Sequence, residues 1–246
     1  MRLTYHVIII VSILLSLQSV ANADVQIWNA ADDFARPGIP NGNRGWTQGE
    51  VDTGGVFHAY TTSQWLNPEE TICRWYTLAL PDALCNVSAN DIYIDGGTLL
   101  VAPNTVTVHP GSGGAGTSGW DNDLRWTAPT EGNYLVDTLM YGATTINTNA
   151  IAYVLKNLDY NSPLAQAAID GFVNTGGTTL TYGDTLHLLA GDTLDFVVNI
   201  GAVEQPDNVG IRVTITQVPE PSSGILMVAG LVGLIAHLRR KRNTPL

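Results

Sequence analysis

Apolar and polar positions alternate over short stretches through most of the chain, and Gly, Asn, Asp and Pro separate those stretches. Alternation at period two places side chains on opposite faces of a strand. The pattern predicts strands at 25–30, 55–61, 72–78, 105–109, 124–127, 133–139, 151–155, 178–182, 185–189, 193–199 and 211–216. Residues 164–169 read as a short helical turn, and no longer stretch sustains a 3.6-residue apolar period. The expected fold class is all-β, an antiparallel β-sandwich or jelly roll. Pro129-Thr130-Glu131-Gly132 joins two strands, and Ala190-Gly191-Asp192 joins two more as tightly as a hairpin turn does. Five glycines between Gly111 and Gly119 mark a loop.

The two ends break the alternation. Arg2 and His6 precede an apolar run from Val7 to Leu17, and Ala21-Asn22-Ala23 follows it. A charged start, an apolar middle and a small-residue site form a signal peptide over 1–23, so the exported chain begins at Asp24. At the other end stand Val218-Pro219-Glu220-Pro221, an apolar segment over 224–238, and Arg239-Arg240-Lys241-Arg242. The apolar segment reads as a single transmembrane helix, short against the roughly 20 residues of a full span. The basic cluster keeps its side cytoplasmic, which puts residues 24–217 outside the cytoplasm as one β-sandwich domain. Two prolines around Glu220 hold that tripeptide extended and unable to join a helix, so a peptidase cleft can take it without unfolding it.

The arrangement over 218–242, within a tail that runs to 246, resembles the PEP-CTERM sorting signal. The resemblance implies recognition of Pro219, Glu220 and Pro221 by exosortase, a membrane transpeptidase. Passage would run through the inner membrane to the cell surface or extracellular matrix. It also implies association with exopolysaccharide. The body resembles a β-sandwich module of other PEP-CTERM proteins through His109-Pro110-Gly111, residues 124–129, Gly132-Asn133-Tyr134, residues 190–198, and the segment from Asn41-Gly42 through Trp46 to Gly49. That module is similar in architecture to carbohydrate-binding jelly rolls, which does not by itself assign a function.

Charge narrows the partners. Of the 11 basic residues, Arg2 and Arg239–Arg242 lie in the ends; of the 22 acidic residues only Glu220 lies outside the body. Six basic against 21 acidic residues leave the body near −15. Nucleic acid and anionic membrane surfaces are therefore poor partners for it. Cys73 and Cys85 stand 12 positions apart in an exported domain, which predicts a disulfide worth roughly 3 kcal/mol in the chain-entropy model.

No catalytic constellation stands out. The body holds His58, His109 and His187 without a G-x-S-x-G elbow or paired metal-ligand spacing. Carboxylates are plentiful, but sequence spacing does not identify a hydrolytic pair. Asp121-Asn122-Asp123 presents alternating oxygens beside the glycine loop, and Asp121 and Asp123 are candidate ligands of a structural calcium. Trp28 and Trp126 fall at core positions. Trp46 and Trp120 fall in glycine-rich surroundings and are candidate sugar-stacking platforms. The expected role is a non-catalytic envelope or matrix protein with glycan or adhesive contacts and no cofactor beyond structural calcium. The alternatives are a carbohydrate-active enzyme using a carboxylate pair and a module without a ligand.

Overall fold

Alternation becomes burial in the long strands. In β11 (Gly132–Gly142), Tyr134, Val136, Thr138 and Met140 are buried while Leu135 and Asp137 are exposed. The computed structural model describes residues 25–34, 36–77, 81–111, 120–146, 148–200 and 207–219. The signal peptide, Glu220, Pro221, the apolar segment and the basic cluster lie outside the described residues, as does most of the glycine loop. Among the described residues no helix is long and apolar enough to cross a membrane.

The chain separates into two compact units, Ile27–Thr216 and the two ends taken together. In the ends, the Gln217 amide donates to the Gln26 carbonyl at 2.9 Å. The larger unit is all-β, and its described ladders are antiparallel. One sheet runs β14 (Thr179–Leu188), β11, β16 (Val209–Val218), β9 (Val106–His109), β6 (Asp82–Asn86), β5 (Ile72–Tyr76) and β4 (Thr62–Trp65), with β1 (Ile27–Asn29) also on β16. The second runs β13 (Ala165–Asp170), β12 (Asn149–Lys156), β15 (Thr193–Ile200), β10 (Asp121–Thr127), β2 (Trp46–Val51) and β3 (Phe57–Ala59). A separate hairpin pairs β7 (Ile92–Ile94) with β8 (Leu99–Val101).

One core lies between the two main sheets. Trp28, Trp75, Val106 and Tyr134 from the first meet Trp46, Leu124, Trp126 and Phe196 from the second. Trp126 packs edge-on against both Trp28 and Tyr134 with ring centroids 5.2 Å apart. Edge-to-face pairing adds about 1 kcal/mol per pair beyond area burial.

Three expectations change. Residues 165–169 belong to β13, because Gln166 and Ala168 pair with Tyr153 and Ile151 on β12; pairing outweighs local propensity. The predicted strands at 178–182 and 185–189 are one strand, β14, which pairs with β11 across its whole length. Ala190-Gly191-Asp192 is not a hairpin: β14 lies in one sheet and β15 in the other. The turn is held instead by the other crossing between sheets, through Gly191 N to Ala128 O (2.9 Å) and Ala128 N to Asp192 O (2.8 Å).

Candidate functional site

β10 builds the site by alternation. Asn122, Leu124 and Trp126 turn into the core, which leaves Asp121, Asp123 and Arg125 together on the outer face of the six-stranded sheet. Opposite Asp123 on β2 stands Gly49. A Cβ there would fall 2.6 Å from the Phe57 ring and 2.5 Å from the His58 carbonyl. The missing side chain lets Phe57 lie over the sheet, with the Arg125 guanidinium 3.8 Å from its ring centre.

Beneath that cover Arg125 joins two buried acids. Its Nε donates to Asp195 Oδ1 at 2.6 Å, and a terminal nitrogen lies 3.4 Å from Asp123 Oδ2. Asp195 also accepts from the Leu158 amide and the Thr193 hydroxyl, both at 2.8 Å. Asp123 is 0% exposed, and its Oδ1 has no hydrogen-bond partner among the described residues. Burial, with the Asp195 charge beside it, pushes the Asp123 carboxyl well above the usual carboxylate range. Two carboxyls held over one guanidinium are not both charged cheaply, which is the same effect in energetic terms.

A cleft of about 380 Å3 opens beside this cluster. Asp52, Thr53 and Gly54 of the β2–β3 turn form one wall, and Asp121, Tyr160 and Asn199 form the other. Asp121 accepts from the Tyr160 hydroxyl at 2.8 Å and the Asn199 amide at 2.6 Å. Burial raises its pKa against those two bonds. Asp52 ties its own turn: Oδ1 accepts from the Gly54 and Val56 amides at 2.9 Å, and Oδ2 lies 2.9 Å from His58 Nε2. The His58 contact holds Asp52 below the usual range. His58 stacks on Trp120, ring centroids 5.2 Å apart and planes 27° apart. Trp120 is 40% exposed, an amphipathic ring open to solvent.

The structure thus separates the residues singled out in the sequence. Trp120, Asp121 and Asp123 come together. Trp46 does not join them: it is 0% exposed and packs on Phe196 at 6.0 Å, so it is a core residue rather than a sugar platform. Its position on β2 faces Trp126 across the ladder, an inward row that the surrounding glycines conceal in the sequence. Cys73 and Cys85 are cross-strand partners on β5 and β6 but stand as free, buried thiols, which corrects the expected disulfide. Cys73 Sγ donates to the Cys85 carbonyl and Cys85 Sγ to the Ala31 carbonyl, each at 3.6 Å. These acceptors give each thiol a place without a bond between them. Among the described residues no three His, Cys, Asp or Glu side chains are grouped to hold a metal ion. Asp121 is instead met by Tyr160 and Asn199, and Asp123 by Arg125. Of the sorting residues, Pro219 is described, next to the end of β16. The sequence reading missed His58, Tyr160, Asn199 and Asp195. The Asp-x-Asp-x-Arg spacing of β10 was the signal that its outer face carries charge.

The end of the chain has a clear relative. Residues 217–242 match the PEP-CTERM protein-sorting motif. That motif marks an exported protein that passes through the membrane and is processed by exosortase. No curated protein matches the chain. Among solved structures the chain is similar to the C-terminal CBM6 of LamC, a laminarinase from Zobellia galactanivorans, at 10% identity over 70% of this chain and 99% of that one, TM-score 0.28. A family 35 carbohydrate-binding module from Clostridium thermocellum is 14% identical over 63% of this chain and 98% of that one, TM-score 0.29. Pika GITRL is 18% identical over 44% and 95%, TM-score 0.27. At these scores the likenesses carry no argument about ligand or activity.

Proposed function

We propose that the protein is a non-catalytic glycan-contacting component of the cell surface or extracellular matrix, delivered there by its sorting tail. The observation that carries this reading is Trp120, exposed on the His58 ring, which in turn contacts Asp52 of the cleft wall. A sugar presents an apolar ring face and polar edges. Trp120 would take the face, and Tyr160, Asn199 and Asp121 would take hydroxyls. The strongly acidic body favours a neutral polysaccharide over an anionic one. Asp121 and Asp52 are each already engaged by neighbouring groups, an arrangement in keeping with a structural and binding role.

One observation favours a second reading. Asp121 is pushed up and Asp52 down in the same cleft. Environments that divide two carboxyls in this way suit the acid and base of glycoside hydrolysis.

The test uses matrix polysaccharide from the protein's own source. Intact mass and fractionation of the native protein first establish whether it ends near Pro221 and leaves the membrane. Calorimetric titration then measures binding. On the binding reading Trp120→Ala weakens affinity about tenfold or more, the loss expected of an aromatic anchor, and no reducing ends appear. Release of reducing ends that Asp121→Asn abolishes would instead establish the hydrolase. Unchanged affinity in Trp120→Ala would remove Trp120 from the site.

A further inference from the structure

A second cavity lies on the other sheet. β5, β6 and β9 place Arg74, Asp82, Leu84 and His109 on the outer face of the eight-stranded sheet. The β7–β8 hairpin folds over part of this face, and Ile72, Leu84, Leu99 and Val101 form a small second core beneath it with Tyr141 and Ala143. A cavity of about 250 Å3 lies at the margin of that cover. Leu66, Ile94 and Leu99 give it an aliphatic wall, and Asp82, Asp95, His109 and Asn208 give it polar groups.

Two of those groups point to a ligand. Asn208 is 5% exposed, and its side-chain amide makes no hydrogen bond among the described residues. Asn208 lines the cavity, so its amide faces space in which a ligand can supply a donor and an acceptor. Asp82 is buried and takes the Arg74 Nε on one oxygen at 2.5 Å; among the described residues no hydrogen bond reaches its second oxygen. Burial holds its pKa up despite Arg74. The site mixes one guanidinium with two carboxyls, so it has no surplus of positive charge to hold an anion. Its volume is below the roughly 300 Å3 at which pockets for drug-sized ligands begin. An aliphatic wall opposite a row of donors and acceptors matches a small ring with C–H faces and hydroxyl edges.

We infer that this cavity binds one neutral sugar ring, either free or as the terminal unit of a chain. The site is separate from the Trp120 cleft and stands whether or not that cleft binds glycan.

The experiment uses the full chain carrying Trp120→Ala, purified in a detergent without a sugar headgroup. This background removes the platform of the other cleft. Neutral monosaccharides and oligosaccharides ending in the same units are titrated calorimetrically up to tens of millimolar. Saturable binding is expected, and added Asn208→Ala should weaken it about fivefold, the loss of one hydrogen bond. Asp95→Asn, which keeps a residue tolerant of the positive φ of 53° at that position, should weaken it similarly. Melting temperatures should stay unchanged. Binding of free monosaccharides identifies a single-ring site, and binding of oligosaccharides alone identifies a terminal-unit site. No saturable heat with any sugar would overturn the inference, as would equal affinity with and without Asn208→Ala.

Discussion

The Asn122 side-chain amide on β10 donates to the main-chain carbonyl of Asp82 on β6 at 2.7 Å, crossing from one sheet to the other. The same nitrogen lies 2.8 Å from the Tyr60 hydroxyl and 3.3 Å from the His109 carbonyl. Asn122 follows cleft residue Asp121 in the chain, and Asp82 lines the second cavity, so one buried amide joins the two sites. Asn122→Ala would leave acceptors unpaired in the core. It is expected to destabilise by about 2 kcal/mol, the scale of an orphaned buried polar group, read as a lower denaturant midpoint with an unchanged m-value.

Stability should rise as the pH falls toward the ordinary carboxylate range. The carboxyls of Asp121, Asp123, Asp82 and Glu50 are all raised, first by burial. Between the ordinary carboxylate range and their raised values the folded chain binds more protons than the unfolded chain. The free energy of unfolding therefore falls as pH rises through that window. Relief of repulsion within the acidic body acts in the same direction. Asp192 behaves oppositely: hydrogen bonding to Lys156 holds it at about 2. Its stabilisation is present above the ordinary range and fades only as pH drops toward about 2, outside the window. Melting temperature against pH checks the slope, and Asp123→Asn should flatten it by removing one titrating group. A melting temperature that climbs as pH rises above that range would contradict this account.

Trp46 and Trp120 should separate stability from recognition. Trp46→Ala opens a cavity in the core and should destabilise by about 3–5 kcal/mol. Trp120→Ala removes a ring already partly in water and should destabilise by less than about 1 kcal/mol. Guanidinium denaturation of the two variants checks the order.

Cys73 and Cys85 should be silent to a bulky thiol reagent in the folded protein and react as two thiols once the protein is unfolded without reductant. Both are buried, and reaction needs an accessible thiolate. A hydrogen bond between the two side chains lowers the pKa of Cys73 and raises that of Cys85. Unfolded protein with no reactive thiol would show that the pair oxidises after all.

Gly49→Ala should move Phe57 off Arg125, because the added carbon meets the ring and the His58 backbone. The expected cost is about 1–3 kcal/mol, typical of overpacking. The fluorescence of Trp120, which stacks on His58, should change with it, since β3 carries both Phe57 and His58.

Strand existence was legible where one face meets water, as in β11, because alternation records that contrast. It was not legible in β6, whose residues Asp82–Asn86 are buried along their whole length. There the hairpin covers the outer face, so apolar and polar positions lose their period. β2 was obscured by Gly49 and by the inward-facing Gln48 and Glu50. For the site, Trp120 and Asp121 could be found from local sequence. His58, Tyr160 and Asn199 could not, because only the strand order brings the 52–58 turn, the 157–164 connection and the end of β15 to one edge.

β16 ends at Val218, one residue before Pro219, and lies between β11 and β9 with β1 also paired to it. Any load on the tail therefore enters the domain along the axis of an interior strand. Hydrogen bonds on both flanks of β16 are then strained in shear, many at once, rather than opened one by one from an edge. A load applied beyond Val218 would thus be shared by the sheet rather than borne by an edge strand.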